Sequence, residues 1–259
     1  MTQDQDSHPP IGARLAAIVE AASAVILPLW RSGVTVDLKS DSSPVTEADR
    51  RGEALILQRL AEEFPDVPVI AEEAAAADGV PLSIGRRFFL VDPLDGTKAF
   101  VRGDAHFTVN IGLIEDGRPV EGAVAAPATG QVWFTTPEGA VKRGFGESEA
   151  RPIHVRPRGE QVLALSSHTL KPEHAQTLRE RYGYTDQQGM DSSIKLCVIA
   201  EGGADLYPRH GTTMEWDIAA GHAVLAAAGG SLTTPEGEAF VYGKAADGFK
   251  NGWFVARGG

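Results

Sequence analysis

Hydrophobic and polar residues follow helical periodicity in some blocks of the chain and strand periodicity in others. The mainly apolar segment from Ile11 to Arg31 predicts a helix, which Pro28 is expected to kink or end. The serine-rich stretch LKSDSSPVTEAD is typical of a loop. A second helix is predicted from Thr46 to Phe64, because its apolar residues recur on one face.

Two short apolar runs that end in acidic residues predict strands. They are VPVIAEE, residues 67–73, and RFFLVD, residues 87–92. Each predicted strand carries carboxylates at its end, so we expect the two strands to place these carboxylates at a common edge of a sheet. From His106 to Lys142 the pattern changes to alternating strands with turn signals at EDGR and PATG, which predicts antiparallel hairpins.

The second half of the chain alternates between helix and strand. Helices are predicted over 171–181 and 192–201, followed by a strand at ADLYPR. A further helix is predicted from Trp216 to Ala228, with Gly229 and Gly230 as its C-cap. This order predicts a layered α+β or α/β architecture. We expect a disordered tail over 1–10, an N-terminal α+β lobe over 11–150 and a C-terminal α/β lobe over 151–259, packed as one compact unit.

Charge and cysteine content exclude some classes of function for this protein. The 259 residues carry a net charge of −11, which argues against a polymeric nucleic acid partner but allows a small anionic substrate beside a metal. Cys197 is the single cysteine, so no internal disulfide can form. The polar N-terminus is unlike a signal peptide, and the segment from Leu15 to Trp30 is judged too short and interrupted to span a bilayer. The predicted location is the cytoplasm, with peripheral contact at the inner membrane as an option. The expected state is a monomer or homodimer.

Acidic residues cluster in three segments, each at a strand end or a helix start: IAEEA with Glu72 and Glu73, DPLDGT with Asp92 and Asp95, and EWDIAAG with Asp217. Any one of them alone is explained by helix capping or by a turn. Convergence within about 5 Å would cost on the order of 3 kcal/mol per pair at an effective dielectric near 20, unless a cation compensates. All-oxygen ligands favour a hard ion such as Mg²⁺.

The same turn offers an anion site. Pro93 stiffens it, so that Asp92, Asp95 and the carbonyl of Leu94 can point at one place. Gly96 allows close approach of the backbone, and the amides of Gly96 and Thr97 begin a helical turn.

The set SPVTEAD, AEE, DPLDGT and EWDIAAGHAVLAAAGG resembles the inositol monophosphatase superfamily of Mg²⁺-dependent, lithium-sensitive phosphatases. The segments LVDPLDGTKAF, FTVNIGLIEDGRPVEGAVAAPATG and SSIKLCVIAEGGADLYPR are similar to one branch, the CysQ-type 3′(2′),5′-bisphosphate nucleotidases. The resemblance runs from about Ile11 to Val255. It implies the layered αβαβα sugar-phosphatase fold.

Residue by residue, the resemblance implies two or three Mg²⁺ ions and a water attack without a covalent nucleophile. Glu72, Asp92 and the Leu94 carbonyl would hold one ion. Asp92, Asp95 and Asp217 would hold a second. Asp49 and Thr97 would polarise the attacking water, with a third, weakly held ion near Asp49. A capping box at Thr46 and Asp49 explains the T-x-x-D pattern equally well, and both roles are compatible.

The resemblance also implies a nucleotide end. Its matching positions are His168, Ser192, Lys195 and Arg209. Lys195 and Arg209 could meet a second phosphate and His168 the nucleoside, although Lys195 could instead snorkel and His168 could be a cap. The whole substrate-binding set comprises Leu94, Asp95, Gly96, Thr97, His168, Ser192, Lys195, Arg209 and Asp217. Two departures from the branch pattern, His210 for an aromatic residue and Ala99 for a glutamate, put substrate detail in doubt.

The predicted activity is removal of the 3′-phosphate of 3′-phosphoadenosine 5′-phosphate, with inositol-1-phosphate or another sugar phosphate as the alternative substrate. A haloacid-dehalogenase-type phosphatase is a competing hypothesis, but DPLDGT is one residue longer than its DxDGT motif. A calcium-binding or inositol-phosphate-binding module is another. The loop lacks the alternating acids of an EF-hand.

Overall fold

The computed structural model describes residues 8–33, 35–39, 44–168 and 170–259. The predicted tail therefore lies mostly outside the described residues, as does Ser43 of the SPVTEAD motif. The helices are α1 (Ile11–Ser32), α2 (Glu47–Glu63), α3 (Glu72–Asp78), α4 (Thr97–Val101), α5 (Pro172–Tyr182), α6 (Ile194–Ala200) and α7 (Glu215–Ala227).

The strands form two large sheets and two short pairs. The seven-stranded sheet contains, in order, β3 (Val69–Ala71), β4 (Arg87–Asp95), β5 (Thr108–Glu115), β6 (Arg118–Ala126), β7 (Gln131–Thr136), β8 (Gly139–Gly144) and β9 (Arg151–Ile153). The five-stranded sheet contains, in order, β11 (Asp186–Gly189), β10 (Leu163–Ser166), β12 (Leu206–Arg209), β16 (Phe254–Arg257) and β14 (Ser231–Thr233). The pairs are β1 (Val36–Leu38) with β2 (Pro44–Thr46) and β13 (Thr213–Met214) with β15 (Lys250–Asn251).

The seven-stranded sheet is covered on both faces, and β4 shows why. Its residues Phe88 and Leu90 pack into the core formed with α6 and α7, whereas Phe89 and Val91 pack into the core formed with α1 and α2. A strand alternates its side chains between two faces, so a continuous apolar run fits a sheet that is buried on both sides.

The layers follow the order αβαβα that the resemblance implies. Helices α1 and α2 form the first layer and α6 and α7 the middle one. Helix α5 covers the outer face of the five-stranded sheet, where Leu178 packs on Ala164, Leu206 and Val255. The seven-stranded sheet reaches Ile153, just beyond the predicted lobe boundary. The division into two lobes stays a prediction.

Close approach of α7 to the seven-stranded sheet depends on two glycines. A Cβ on Gly112 would lie 2.8 Å from the amide nitrogen of Ala220, and one on Gly122 would lie 2.6 Å from its carbonyl oxygen. Larger residues would push α7 off the sheet. Because Asp217 is in the first turn of α7, these glycines also set the position of a candidate site residue.

The helix predictions are confirmed to within two residues, with two corrections. Pro28 lies inside α1, which continues to Ser32, so the proline does not end the helix, and the kink stays a prediction. Helix α7 is capped by Ala228 rather than by glycine, and the left-handed conformation comes one residue later, at Gly229 with φ of 93°.

Helix α1 also corrects the expectation about membrane spans. Among the described residues it is one helix that is long and apolar enough to cross a membrane, so the judgement that this segment is too short is wrong. Its apolar face is buried in the protein core, where Leu15, Val19, Ala22 and Ile26 are 0% exposed. A core helix of this kind passes the same test of length and composition.

Candidate active site

The end of β4 carries three of the candidate ligands. The strand predicted over residues 87–92 continues to Asp95, with a register shift against β5 between Asp92 and Asp95. Asp92 is buried, and its Oδ1 accepts a hydrogen bond of 2.9 Å from the amide of Leu94. Gly96 has a φ of 94°, and a Cβ there would lie 2.8 Å from the carbonyl oxygen of His106. Both the backbone conformation and the available space therefore require glycine. The turn brings Asp92, Leu94 and Asp95 to the wall of one cavity of about 710 Å³.

Glu72 and Asp217 reach the same cavity from other elements. Strand β3 runs parallel to β4 with Ala71 opposite Val91, so Glu72, the next residue, lies at the same sheet edge as Asp92. Asp217 is the third residue of α7, and its Oδ2 accepts a hydrogen bond of 2.8 Å from the amide of Met214. The common edge predicted from the sequence is present.

Burial raises the pKa values of Asp92, Asp95 and Asp217, and the charges of neighbouring carboxylates raise them further. Burial is the largest cause of the raised pKa of Asp92, and the charges of Glu72, Asp95 and Asp217 add to it. Burial also raises the pKa of Asp217, with further contributions from Asp95 and Glu72. The pKa of Asp95 is raised to about 6, first by burial, with partial compensation by the charge of Lys195. The cluster is thus electrostatically costly without a cation.

This donor set fits a metal. The four candidate carboxylates, Glu72, Asp92, Asp95 and Asp217, line the cavity together with Leu94, and oxygen ligands of this kind suit a hard divalent ion. Within the described ranges, no three His, Cys, Asp or Glu side chains are grouped closely enough to form a ready coordination shell. Binding would therefore draw the carboxylates closer together, which their mutual charge opposes until the ion arrives.

Two charged residues that were not predicted from the sequence contact the first turn of α3, which begins with Glu72. Lys39 Nζ lies 2.6 Å from both Glu72 Oε1 and Glu73 Oε1, and the contact with Glu72 also has hydrogen-bond geometry. Burial alone would lower the pKa of Lys39, but these two ion pairs outweigh it and raise the pKa. Burial raises the pKa of Glu73 to about 7.

Glu53 is the second of these residues. Its carboxylate accepts hydrogen bonds of 2.8 Å from the amides of Glu73 and Ala74, in the first turn of α3. Glu53, which belongs to α2, therefore satisfies the free amides at the N-terminus of α3, as an N-cap residue would. Its position one turn after Asp49 on α2 was the only signal available in the sequence.

Asp49 and Thr97 meet, as the resemblance implied. Asp49 Oδ2 accepts hydrogen bonds from the amide and hydroxyl of Thr46, at 2.8 and 2.7 Å, which confirms the capping box. Its Oδ1 lies 3.3 Å from Thr97 Oγ1, which also lies 3.1 Å from the carbonyl oxygen of Leu94. Both oxygens are acceptors, and the Thr97 hydroxyl has a single proton to donate. Burial is the main cause of the raised pKa of Asp49.

The four nucleotide-end residues line the same cavity. Lys195 is buried, and its Nζ donates hydrogen bonds to the carbonyl oxygens of Met190, at 3.0 Å, and of Ser192. It therefore does not snorkel to solvent. Burial lowers its pKa to about 8. Ser192 has a φ of 56°, an uncommon conformation for a residue with a side chain, and the amide of the next residue, Ser193, donates to Asp95 Oδ2.

His168 is held by an acidic residue that the sequence reasoning did not single out. Its Nδ1 lies 3.2 Å from Asp191 Oδ2, which also accepts a hydrogen bond of 2.8 Å from Arg102. A Cβ on Gly189 would lie 2.8 Å from the ring of His168, so glycine leaves space for the imidazole. The interpretation of His168 as a simple helix cap is not needed to explain its contacts.

Arg209 also lies at the cavity, and the two residues that depart from the branch pattern, Ala99 and His210, lie at it or beside it. Arg209 lines the main cavity, and its Nε is buried without a hydrogen-bond partner among the described residues. Ala99 is fully buried in the wall of that cavity. His210 lies in a smaller neighbouring cavity. The candidate site residues that line the main cavity are Glu72, Asp92, Leu94, Asp95, Gly96, Thr97, His168, Ser192, Lys195, Arg209 and Asp217.

Comparison with known proteins identifies the family of this chain. The model of the inositol monophosphatase family matches residues 11–252. The chain belongs to this family. The 3′(2′),5′-bisphosphate nucleotidase CysQ of Salmonella typhimurium is 40% identical over 204 residues, which cover 79% of this chain and 81% of that protein. A histidinol-phosphatase of Mycobacterium tuberculosis is 32% identical and covers 93% of each chain.

Solved structures agree on the fold. The crystal structure of CysQ from Bacteroides thetaiotaomicron, described as a bacterial member of the inositol monophosphatase family, matches with a TM-score of 0.76 at 30% identity. The match covers 95% of this chain and 96% of that one. The layered sugar-phosphatase fold expected from the sequence is confirmed. The family is one of metal-dependent phosphatases acting on small phosphate esters.

Proposed function

We propose that this protein is a 3′(2′),5′-bisphosphate nucleotidase that converts 3′-phosphoadenosine 5′-phosphate to AMP and phosphate. The observation that carries the proposal is one cavity that is lined both by candidate metal ligands and by cations. The carboxylates Asp92, Asp95 and Asp217 line it together with Lys195 and Arg209, whose charges partly offset the raised pKa of Asp95. A nucleotide with phosphates at its 3′ and 5′ positions matches this combination, and the similarity of the chain to CysQ proteins supports this choice.

Glu72, Asp92, the carbonyl of Leu94, Asp95 and Asp217 would hold two Mg²⁺ ions, with a third near Asp49. Bound ions of this kind neutralise the phosphate and lower the pKa of water. The expected sensitivity to lithium belongs to the same proposal. So do the assignment of two lobes, a monomeric or homodimeric state and a location in the cytoplasm, free or peripheral at the inner membrane.

Asp49 and Thr97 are proposed to move the proton of the attacking water. Thr46 engages Asp49 Oδ2, so Oδ1 is the oxygen left to accept the proton of Thr97. As the water attacks phosphorus, it passes one proton to Thr97 Oγ, and Thr97 passes its own proton to Asp49. The P–O bond to the nucleotide 3′-oxygen breaks, and this oxygen takes a proton from solvent. Burial favours the step because it makes the Asp49 carboxylate more basic.

A substrate panel tests the proposal. Purified protein with Mg²⁺ is expected to release phosphate from 3′-phosphoadenosine 5′-phosphate with a kcat/KM far above those for inositol-1-phosphate, fructose-1,6-bisphosphate and histidinol phosphate. Each charge-assisted contact to the uncleaved phosphate is worth about 1.5–3 kcal/mol, so two contacts predict a preference of roughly two to four orders of magnitude. A preference for inositol-1-phosphate or histidinol phosphate would assign the chain to another member activity of the family.

A further inference from the structure

Three buried side chains form a closed ring of hydrogen bonds between the seven-stranded sheet and the start of α6. Ser193 Oγ donates to Asn110 Oδ1 at 2.6 Å, and Asn110 Nδ2 donates to Thr108 Oγ1 at 3.4 Å. Thr108 Oγ1 lies 3.0 Å from Ser193 Oγ. Because the hydroxyl proton of Ser193 is already given to Asn110, Thr108 is the donor of this third bond. We call the three residues the polar ring.

The polar ring is sealed from solvent. Thr108 and Asn110 are 0% exposed and Ser193 is 3% exposed, so bulk water does not replace a lost partner. A buried hydroxyl or amide left without a partner costs more free energy than its hydrogen bond contributes. A closed set of mutually satisfied polar groups therefore favours one arrangement and holds the three side chains together.

Strand β5 places two members of the polar ring directly opposite candidate metal ligands. Asn110 is paired with Asp92, and Thr108 is paired with Asp95. Between these pairs β4 takes three steps where β5 takes two, which is the count of a β-bulge. Without the extra residue, the alternation of side chains along β4 would send Asp95 to the face opposite that of Asp92. Both carboxylates instead line one cavity, with members of the polar ring as their cross-strand neighbours.

The third member of the polar ring leads to the cationic residues of the cavity. Ser193 is the N-cap residue of α6, but its hydroxyl is bonded to Asn110 rather than to a helix amide. Its own amide donates to Asp95 Oδ2. The residue before it, Ser192, has a φ of 56°, and the carbonyl oxygen of Ser192 accepts a hydrogen bond from Lys195 Nζ. The side chain of Ser193 therefore holds a backbone segment that contacts a carboxylate of the metal-ligand set and the buried lysine.

We propose that the polar ring positions the candidate metal ligand Asp95 and the buried Lys195 as one rigid unit. Its two members on β5 are positioning residues, since they are not among the described residues that line the cavity and they act through Ser193. The inference rests on the proposed function, because it takes Asp95 as a metal ligand and Lys195 as a substrate-binding residue.

Loss of the polar ring would release the segment 192–195. Ser192 could then exchange its uncommon left-handed conformation for a more favourable one, because such a conformation persists only where its surroundings enforce it. The amide of Ser193 would leave Asp95 in consequence. A metal ion would have to order this segment when it binds, and that ordering lowers its affinity.

Calorimetric titration with Mg²⁺ and hydrogen exchange of the metal-free protein test the inference. Thr108→Val removes the hydroxyl and keeps the shape of the side chain. It should weaken Mg²⁺ binding by about two- to tenfold, the equivalent of one lost hydrogen bond, and should speed the exchange of amides 192–195. Thr108→Ser keeps the hydroxyl and should restore both values.

Ser193→Ala breaks the polar ring from its other side and keeps the amide that donates to Asp95. It should reproduce the effects of Thr108→Val on Mg²⁺ affinity and on amide exchange. The double variant should be little worse than either single variant, because both substitutions remove the same ring. Losses that add in the double variant would overturn the inference.

Thr135→Val is the matched control. Thr135 is a buried threonine of the same sheet, its hydroxyl accepts a hydrogen bond from the amide of Gly122, and it is not among the described residues that line the cavity. The control should lower the melting temperature and leave the Mg²⁺ affinity unchanged. If Thr108→Val likewise lowered only the melting temperature, the polar ring would serve the core alone and the inference would be overturned.

The wild type provides a test that needs no substitution. In the metal-free protein the amide of Ser193 should exchange as slowly as the amides of β5, since the polar ring ties the two together. Fast exchange at Ser193 beside slow exchange in β5 would overturn the inference as well. Failure of the proposed function is seen separately, as absent turnover of 3′-phosphoadenosine 5′-phosphate by the wild type.

Discussion

Thr97 Oγ1 lies 3.3 Å from Asp49 Oδ1, although the two residues are 48 positions apart in the chain. The contact joins the first turn of α2 to the first turn of α4. Each residue is fixed by its own helix start, Asp49 by Thr46 and Thr97 by the glycine turn before it. The pair is therefore positioned by rigid backbone, as a proton relay requires.

If the two residues act as one relay, Thr97→Ala and Asp49→Asn should each lower kcat by on the order of 10²-fold or more. The double variant should be little worse than either single variant, because removing one member already disables the relay. Steady-state kinetics of all four proteins measure this. Thr97→Ser, which keeps the hydroxyl, should retain most of the activity. Losses that multiply in the double variant would mean that the residues act separately.

Replacement of Asp92 separates metal binding from folding. Asp92→Asn removes one charge from a buried cluster in which Glu72, Asp95 and Asp217 all oppose its ionisation. The metal-free variant should therefore melt at the same or a higher temperature than the metal-free wild type. Mg²⁺ should raise the melting temperature of the wild type but hardly that of the variant, since a ligand that binds only the folded state stabilises it. Activity should be nearly lost. Equal stabilisation of both proteins by Mg²⁺ would remove Asp92 from the ligand set.

The raised pKa of Asp95 predicts a pH-dependent stability of the metal-free protein. The folded-state pKa of about 6 lies above the ordinary value, so the contribution of Asp95 to stability is present at low pH and is lost as the pH rises through about 6. Between pH 5 and pH 8 the stability difference between Asp95→Asn and the wild type should therefore grow in favour of the variant.

Chelator-treated proteins melted across this range test the sign. His222, whose pKa burial lowers to about 4, contributes with the opposite sign in part of the range, but both proteins carry it and the comparison cancels it. Saturating Mg²⁺ should reverse the sign of this stability difference. The bound ion is expected to stabilise the wild type, which keeps the Asp95 carboxylate, more than the variant. A constant difference from pH 5 to pH 8 would show that Asp95 titrates normally.

The sequence was sufficient to predict the helices, the strands and the candidate site residues that lie in local patterns or motifs. The strand that carries Asp92 could be predicted because a buried apolar run precedes the proline and glycine of DPLDGT, although the strand continues to Asp95. The roles of Lys39 and Glu53 could not be predicted, because their partners are distant in the sequence. Lys39 contacts Glu72, and Glu53 accepts hydrogen bonds from the amides that follow Glu72. No periodic pattern in the sequence indicates contacts of this kind. The C-cap of α7 was predicted one residue too late. Ala228 is the C-cap, and the left-handed conformation that favours glycine follows at Gly229.

Arg209 offers the sharpest test of substrate choice, because one substrate pair differs only in the group it is proposed to hold. 3′-Phosphoadenosine 5′-phosphate and adenosine 3′-monophosphate share the bond that is cleaved, and only the first carries a 5′-phosphate. Arg209→Ala should lower kcat/KM for the bisphosphate by about one to two orders of magnitude, the cost of a charge-assisted contact of about 1.5–3 kcal/mol. The slow hydrolysis of the monophosphate should change little. Arg59→Ala should affect neither substrate, since Arg59 lies on the exposed face of α2. Equal losses on both substrates would mean that Arg209 supports the fold of the cavity and does not read the 5′-phosphate.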